Sequence, residues 1–317
     1  PDSHVFHDAL VCLGTPNQNQ TKEPVRVVGY KTAGVKYYVA TDRHDLTAEK
    51  VASVYKLRWT IEAFFKWWKE HLKVYHLIAR SEYGLMVQIL GGLITYLLMA
   101  IYCREQFNEK VSIKRVRELR NTILNELMTA HNQNRDNHNR SSIVKEQEQL
   151  SKQKPNRTLL TLGIKLYHFL NRLTDKDRES VLIVDDSPYD RSRSKSVELL
   201  SRVWDHSNAR LIKGFRMLTI CWSDGVSCLP LDFSLLSSSD AKKRLCENRK
   251  SMDKRCCAWQ RRQEATIKAP DNLEAMVKRI LAAGVQAKYL LMDSWFAMPA
   301  AITALASNIA VIGMVKK

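Results

Sequence analysis

Two short apolar runs, each closed by aspartate, constrain this chain more than any other feature. Val181-Leu182-Ile183-Val184 ends at Asp185-Asp186-Ser187, and Tyr289-Leu290-Leu291-Met292 ends at Asp293-Ser294. Short aliphatic runs bounded by polar residues read as buried strands. Between them, strands over about Gly214–Trp222 and Val226–Leu235 flank Asp224-Gly225, a hairpin signal. A basic polar region, Lys242–Arg262, and a helix over about Asn272–Ala283 follow. Another helix and the apolar run Ile309–Val315 close the chain. The second half therefore reads β-β-β-α-β-α-β. Right-handed crossovers would set the fourth strand parallel to the first, with both aspartate ends on one edge of a mixed sheet. An aspartate closing an apolar run often only caps the next turn. Two of them on neighbouring strands point instead to a shared carboxylate site. Converging carboxylates cannot all ionise without a cation, and Mg²⁺ or Mn²⁺ suits oxygen ligands.

The first half has its own signals. Val25–Tyr30 and Val35–Thr41 read as strands joined by a Thr32-Ala33-Gly34 turn, whereas residues 1–24 show no periodicity. Asp45 and Thr47 are candidate caps for one long helix reaching about Val74. On that helix Tyr55, Arg58, Glu62 and Lys69 fall on one stripe, and Val54, Leu57, Ile61, Phe64, Trp68 and Leu72 on another. The helix thus packs on one side and offers a carboxylate among cations on the other. Salt bridges along a solvated face would give the same pattern. The segment Leu85–Tyr102 is nearly long enough to span a bilayer, but Gln88, Gly91-Gly92 and Thr95 interrupt it. A buried helix explains it better than a membrane span. A basic helix over about Ser112–Met128 follows, and then an almost apolar-free stretch. We expect a piece over 1–129, a polar linker over 130–157 and a second piece over 158–317.

Lysine and arginine number 50 against 33 acidic residues, a formal net charge of +17. Such an excess implies a polyanionic partner, most commonly nucleic acid. The seven cysteines form no CxxC pair or zinc-ligand spacing and read as reduced thiols. With no secretory signal in view, a cytoplasmic, nucleoid-associated protein is expected.

The blocks themselves resemble a known family. Tyr55-x2-Arg58-x3-Glu62-x6-Lys69, within YKLRWTIEAFFKWWKEH, is similar to the Tyr-Arg-Glu-Lys signature of DDE transposases of bacterial insertion sequences, in the IS-four-like group. VLIVDDSPYDRSRSKSVELL resembles the family's first-aspartate segment, and YLLMDSWFAMP its second. KGFRMLTICWSDG and LPLDFSLLSS resemble the hairpin after the first aspartate. The resemblance implies an α/β, RNase H-like mixed sheet with flanking helices. It implies Asp186, Asp293 and Glu62 as catalytic, Mg²⁺-holding carboxylates that cleave DNA and transfer the freed strand. Asp186 is preferred to Asp185 because the family's first aspartate is typically followed by Thr or Ser; strand alternation alone leaves both open. Tyr55, Arg58 and Lys69 match positions that hold DNA phosphates. Trp59 could pack or stack on a base. Arg191 and Arg193 could touch phosphate or belong to a solvated loop. Double-stranded DNA and a homodimer are the implied partners.

The order departs from the family's. Here the glutamate block precedes both aspartate blocks, so the fold would be circularly permuted, lacking most of the family's β-rich insertion. Either the halves close on each other to rebuild one site, or the chain is an inactive DNA-binding remnant.

Overall fold

A computed structural model of the chain describes residues 4–16, 20–72, 158–173, 178–205, 208–225, 227–247 and 257–315, with isolated positions at 91–122 and at 254. The described residues build one mixed sheet. Its strands are β1 (His4–Val11), β2 (Val25–Thr32), β3 (Val35–Thr41), β4 (Val181–Asp190), β5 (Ser201–Asp205), β6 (Arg210–Ser223), β7 (Cys228–Leu236), β8 (Tyr289–Met292) and β9 (Ala310–Met314). They lie in the order β1-β2-β3-β9-β8-β4-β6-β5, and β7 also pairs with β6. The pairs β4–β8 and β8–β9 are parallel. The α-helices with described bounds are α1 (Ala48–Lys56), α2 (Trp59–Leu72), α3 (Thr158–Leu173), α4 (Cys257–Ala265), α5 (Ala269–Ala282) and α6 (Pro299–Ala306).

The two halves of the chain share this sheet. β3 pairs antiparallel with β9, Val39 opposite Met314 and Thr41 opposite Ile312. Asp42 just beyond β3 accepts the Val311 amide at 3.0 Å, and Lys50 on α1 meets Glu179 at 2.5 Å. The central strands are apolar on both faces because helices cover both. Ile183, Leu291, Ile312 and Val39 are all fully buried. Burying each such side chain contributes about 1.5–3 kcal/mol.

Most strand readings from the sequence have counterparts here, and the differences have local causes. β1 falls within residues 1–24, where no periodicity was visible. It is an edge strand with one partner, mostly exposed, so its residues need not alternate. Phe6 packs edge-on against Tyr38 (5.6 Å), and Arg26 holds Asp8 at 2.7 Å. β5 also gave no signal, because Ser201 and Asp205 point inward while Trp204 points out. β4 runs on to Asp190, through Pro188, beyond the end of β8, where one of its sides has no ladder to lose. The β2–β3 turn is a two-residue hairpin at Ala33-Gly34, both at positive φ (48° and 82°).

The expected single helix is two. Thr47 caps α1, accepting the Lys50 amide at 3.2 Å. The chain then tightens at Leu57-Arg58: the Leu57 carbonyl is taken by both the amide (3.0 Å) and hydroxyl (2.7 Å) of Thr60. A carbonyl engaged three residues on cannot propagate the α-helical ladder.

Among the described residues no helix is long and apolar enough to cross a membrane. The segment Leu85–Tyr102 lies mostly outside them, as do the basic helix of 112–128 and the linker of 130–157.

Candidate active site

The parallel register of β4 and β8 sets Ile183 opposite Leu291. Carried on by two residues, it brings Asp185 level with Asp293. Strand alternation then separates the two adjacent aspartates. Through its pairing with Thr219, Asp185 lies on the face that also carries Ile183, Cys221 and Ser223. Helix α2 packs on this face, with the Thr60 hydroxyl 3.5 Å from that of Ser223, and so delivers Glu62 to the same side. Asp186 lies on the opposite face beside Arg216, which forms an ion pair with it. The Arg216 guanidinium also stacks over Trp295, 5.2 Å from the ring centroid.

Electrostatics separate the two aspartates as well. Asp185 keeps some solvent exposure, yet protein atoms crowd its carboxyl. That burial pushes its pKa up to about 7, helped by the negative charges of Asp186 and Asp293 and, more weakly, Glu62, while Arg58 opposes them. Asp185 thus senses Asp293, Glu62 and Arg58 together. The sequence-based preference for Asp186 does not fit this geometry: its charge is answered by Arg216 on the far face.

The other members are pinned by their neighbours. Oδ1 of Asp293 accepts the amides of Trp295 (3.0 Å) and Phe296 (3.3 Å), so this aspartate does cap the next turn. The cap fixes its orientation and spends only one oxygen. Arg58 donates to Oε1 of Glu62 at 2.6 Å. The Tyr55 hydroxyl donates to the Met292 carbonyl at 3.0 Å, tying α1 to the residue before Asp293.

Several residues expected to hold phosphate lie elsewhere. Tyr55 is 1% exposed and Arg58 6%. Tyr55 shares the buried face of α1 with Val51 and Ala52, and Arg58 is buried at the start of the next turn, so neither presents much surface to a partner. Trp59 packs edge-on against Tyr37 (5.5 Å) and Tyr55 (6.4 Å). Lys69 lies on α2, its side chain outside the described set. Arg193 is exposed on the β4–β5 loop, while Arg191 is half-buried with its pKa lowered by desolvation. Arg216 and Trp295 were missed. The parity of β6 against β4, once the pairing is known, is what selects Arg216.

Among the described residues, no three His, Cys, Asp or Glu side chains stand close enough to enclose a metal ion as they are. The donors nevertheless suit a hard divalent cation in kind. Asp185, Asp293 and Glu62 offer only oxygen, and the pKa of Asp185 is raised by burial first and by the neighbouring carboxylates second.

Comparison with known proteins finds two family models along the chain. Residues 151–317 match the family model described as DDE superfamily endonuclease, and residues 7–98 match the one described as transposase DDE domain. A protein of Sinorhizobium fredii named as transposase y4zB is 31% identical over 101 residues, covering 32% of this chain and 28% of the relative. One of Geobacillus stearothermophilus, named as a transposase for insertion sequence element IS5377, is 35% identical over 98 residues, 31% of this chain and 26% of the relative. One of Synechocystis, named for element IS4SA, is 43% identical over 53 residues, 17% of this chain and 16% of the relative. The matched stretches thus span under a third of each relative's length. No solved structure matches the chain.

Proposed function

Because this chain belongs to the DDE transposases of insertion sequence elements, we propose that it cleaves DNA phosphodiesters through Asp185, Asp293 and Glu62 and joins the freed 3′ end to target DNA. The observation carrying this reading is the buried carboxyl of Asp185, raised to about 7 by burial and by carboxylates from three separate segments. A stabilising core has no use for such repulsion. A site that takes up a cation does.

The fold in this reading is an RNase H-like sheet of the IS-four-like group. It is circularly permuted, with the 1–129 piece supplying Glu62 and the 158–317 piece supplying both aspartates. Asp185, Asp293 and Glu62 would hold Mg²⁺, with Mn²⁺ as substitute. The bound metal would supply activation of the attacking hydroxyl and charge stabilisation of the leaving oxygen. The chain's own residues prepare the place. Arg58 orients Glu62 and offsets part of the negative charge around Asp185. Tyr55 fixes the end of β8, and the turn amides hold one oxygen of Asp293. Double-stranded DNA in the bacterial cytoplasm is the substrate, and a homodimer would pair two element ends.

Incubation of the full chain with supercoiled plasmid tests this. Wild-type protein should nick it with Mg²⁺ or Mn²⁺ and not with EDTA, and Glu62→Ala should be slower by at least about 100-fold. Equal nicking by the two proteins would take the cleavage away from Glu62 and overturn this site; none by wild type, while both bind DNA, would make the chain a DNA-binding remnant.

A further inference from the structure

Beyond the carboxylates, the β5–β6 hairpin is built unlike the rest of the sheet. Gly214 is the last β6 residue that β4 reaches: it pairs with Asp190 on one side and Ser201 on the other. The backbones crowd so closely there that a Cβ on Gly214 would collide with the Tyr189 carbonyl oxygen. Before Gly214, β5 is the strand that accompanies β6, and on the other side the Arg191 amide just past β4 reaches the Lys213 carbonyl at 2.6 Å. The hairpin therefore overhangs β4 as a two-stranded ribbon, on the edge towards which the aspartates lie.

One face of this ribbon packs inward, with Ser201, Val203, Asp205 and Ile212 buried. The other carries two cross-strand pairs, Arg202 opposite Lys213 and Trp204 opposite Leu211. All four are exposed, Trp204 by 46% and Leu211 by 63%. Leu211 and Lys213 share the β6 parity of Thr219, so the strip lies on the face of Asp185. An exposed indole paired across the strands with an exposed leucine offers an apolar strip on which a flat, apolar group can lie. Two flanking cations indicate that this group carries phosphate.

We propose that Arg202, Trp204, Leu211 and Lys213 form a platform for an unpaired DNA strand flanking the cleavage site, a base stacking on Trp204 and phosphates meeting Arg202 and Lys213. This rests on the cleavage reading for its orientation, but not for the binding itself. Stacking on an aromatic ring needs an open base face, which a closed duplex does not offer. Along β6, at ~3.3 Å per residue, Lys213 and Leu211 lie roughly 20 and 26 Å from the level of Asp185. At ~3.4 Å per nucleotide step, the platform meets the strand about six to eight steps from the scissile phosphate.

The probes are a fluorescein-labelled duplex with a ten-thymidine overhang and the same duplex with blunt ends. Binding to the full chain is followed by anisotropy in EDTA, across a range of salt. Wild type should prefer the overhang by about tenfold. Trp204→Ala should abolish that preference and Trp204→Phe keep it, which separates stacking from misfolding. Arg202→Ala with Lys213→Ala should flatten the salt dependence by about 1.4 in log-log slope, the contribution of two phosphate contacts to a single strand. Absence of an overhang preference in wild type, or its persistence in Trp204→Ala, overturns the platform. A Trp204-dependent preference in a chain that never nicks plasmid would uphold the platform and defeat the cleavage reading. Glu62-dependent nicking with unchanged binding by Trp204→Ala would do the reverse.

Discussion

Asp185→Asn should make the metal-free protein more stable at pH 8, by about 2–3 kcal/mol, while removing its proposed activity. The sign follows from the raised pKa. An aspartate free in the unfolded chain titrates near 3.9 and this one near 7. Below about pH 4 the carboxyl is protonated in both states and its ionisation costs the fold nothing. The penalty grows as pH rises from about 4 to 7 and is constant above. Three pKa units correspond to ~4 kcal/mol, and the residual solvent exposure of Asp185 reduces what we expect to observe. Asparagine keeps the shape and removes the charge. Urea unfolding in EDTA at pH 4 and pH 8 checks this: the two proteins should coincide at the lower pH and separate at the higher. A destabilised variant at pH 8 would mean that Asp185 is a structural aspartate.

Asp232→Ala should do the opposite and cost about 3–5 kcal/mol. Asp232 lies on β7 and is fully buried. Arg261 from α4 (3.4 Å) and Arg279 from α5 both pair with it, and its Oδ1 accepts the Phe233 amide. Glu264 faces the same arginines at 3.2 and 3.3 Å. This network ties two helices to the strand. Without Asp232, the buried Arg261 and the half-buried Arg279 each lose a carboxylate partner, and Glu264 still faces both. The energy lies mainly in the charges left uncompensated, more than in the pair itself. Urea denaturation would show the loss; a variant within about 1 kcal/mol of wild type would mean that water or Glu264 takes over. The contrast defines the two aspartates: Asp232 is surrounded by opposite charge and Asp185 by like charge.

The sheet was legible where its strands are buried and illegible where they are not. Val181–Val184 and Tyr289–Met292 announce themselves by uninterrupted aliphatic residues, and the crossover rule sets them side by side in parallel. β1 and β5 do not, since an edge strand has no need to alternate and β5 carries its polar residues inward. The helix break at Leu57-Arg58 depends on Thr60 competing for one carbonyl, which helical periodicity does not register. Tyr55 and Arg58, which the stripe pattern had facing DNA, are instead buried, Tyr55 on the packed face of α1. For the aspartate pair, the sequence names two adjacent carboxylates and only pairing tells them apart. The pleat sends Asp185 towards α2 and Asp186 towards Arg216, and that parity is fixed by the β4–β6 register. The platform on β5–β6 was unreadable for a related reason: Arg202 and Lys213 are eleven residues apart and become neighbours only across the hairpin.

The most direct test of this account compares Asp185→Asn with Asp186→Asn in Mg²⁺-dependent nicking of supercoiled plasmid. If Asp185, Asp293 and Glu62 form the cleavage site, Asp185→Asn should lose at least about 100-fold in rate. Asp186→Asn, which weakens the Arg216 pair on the far face and lifts one negative charge from beside Asp185, should keep most of it. Loss confined to Asp186→Asn, or equal activity in both variants, would contradict the account.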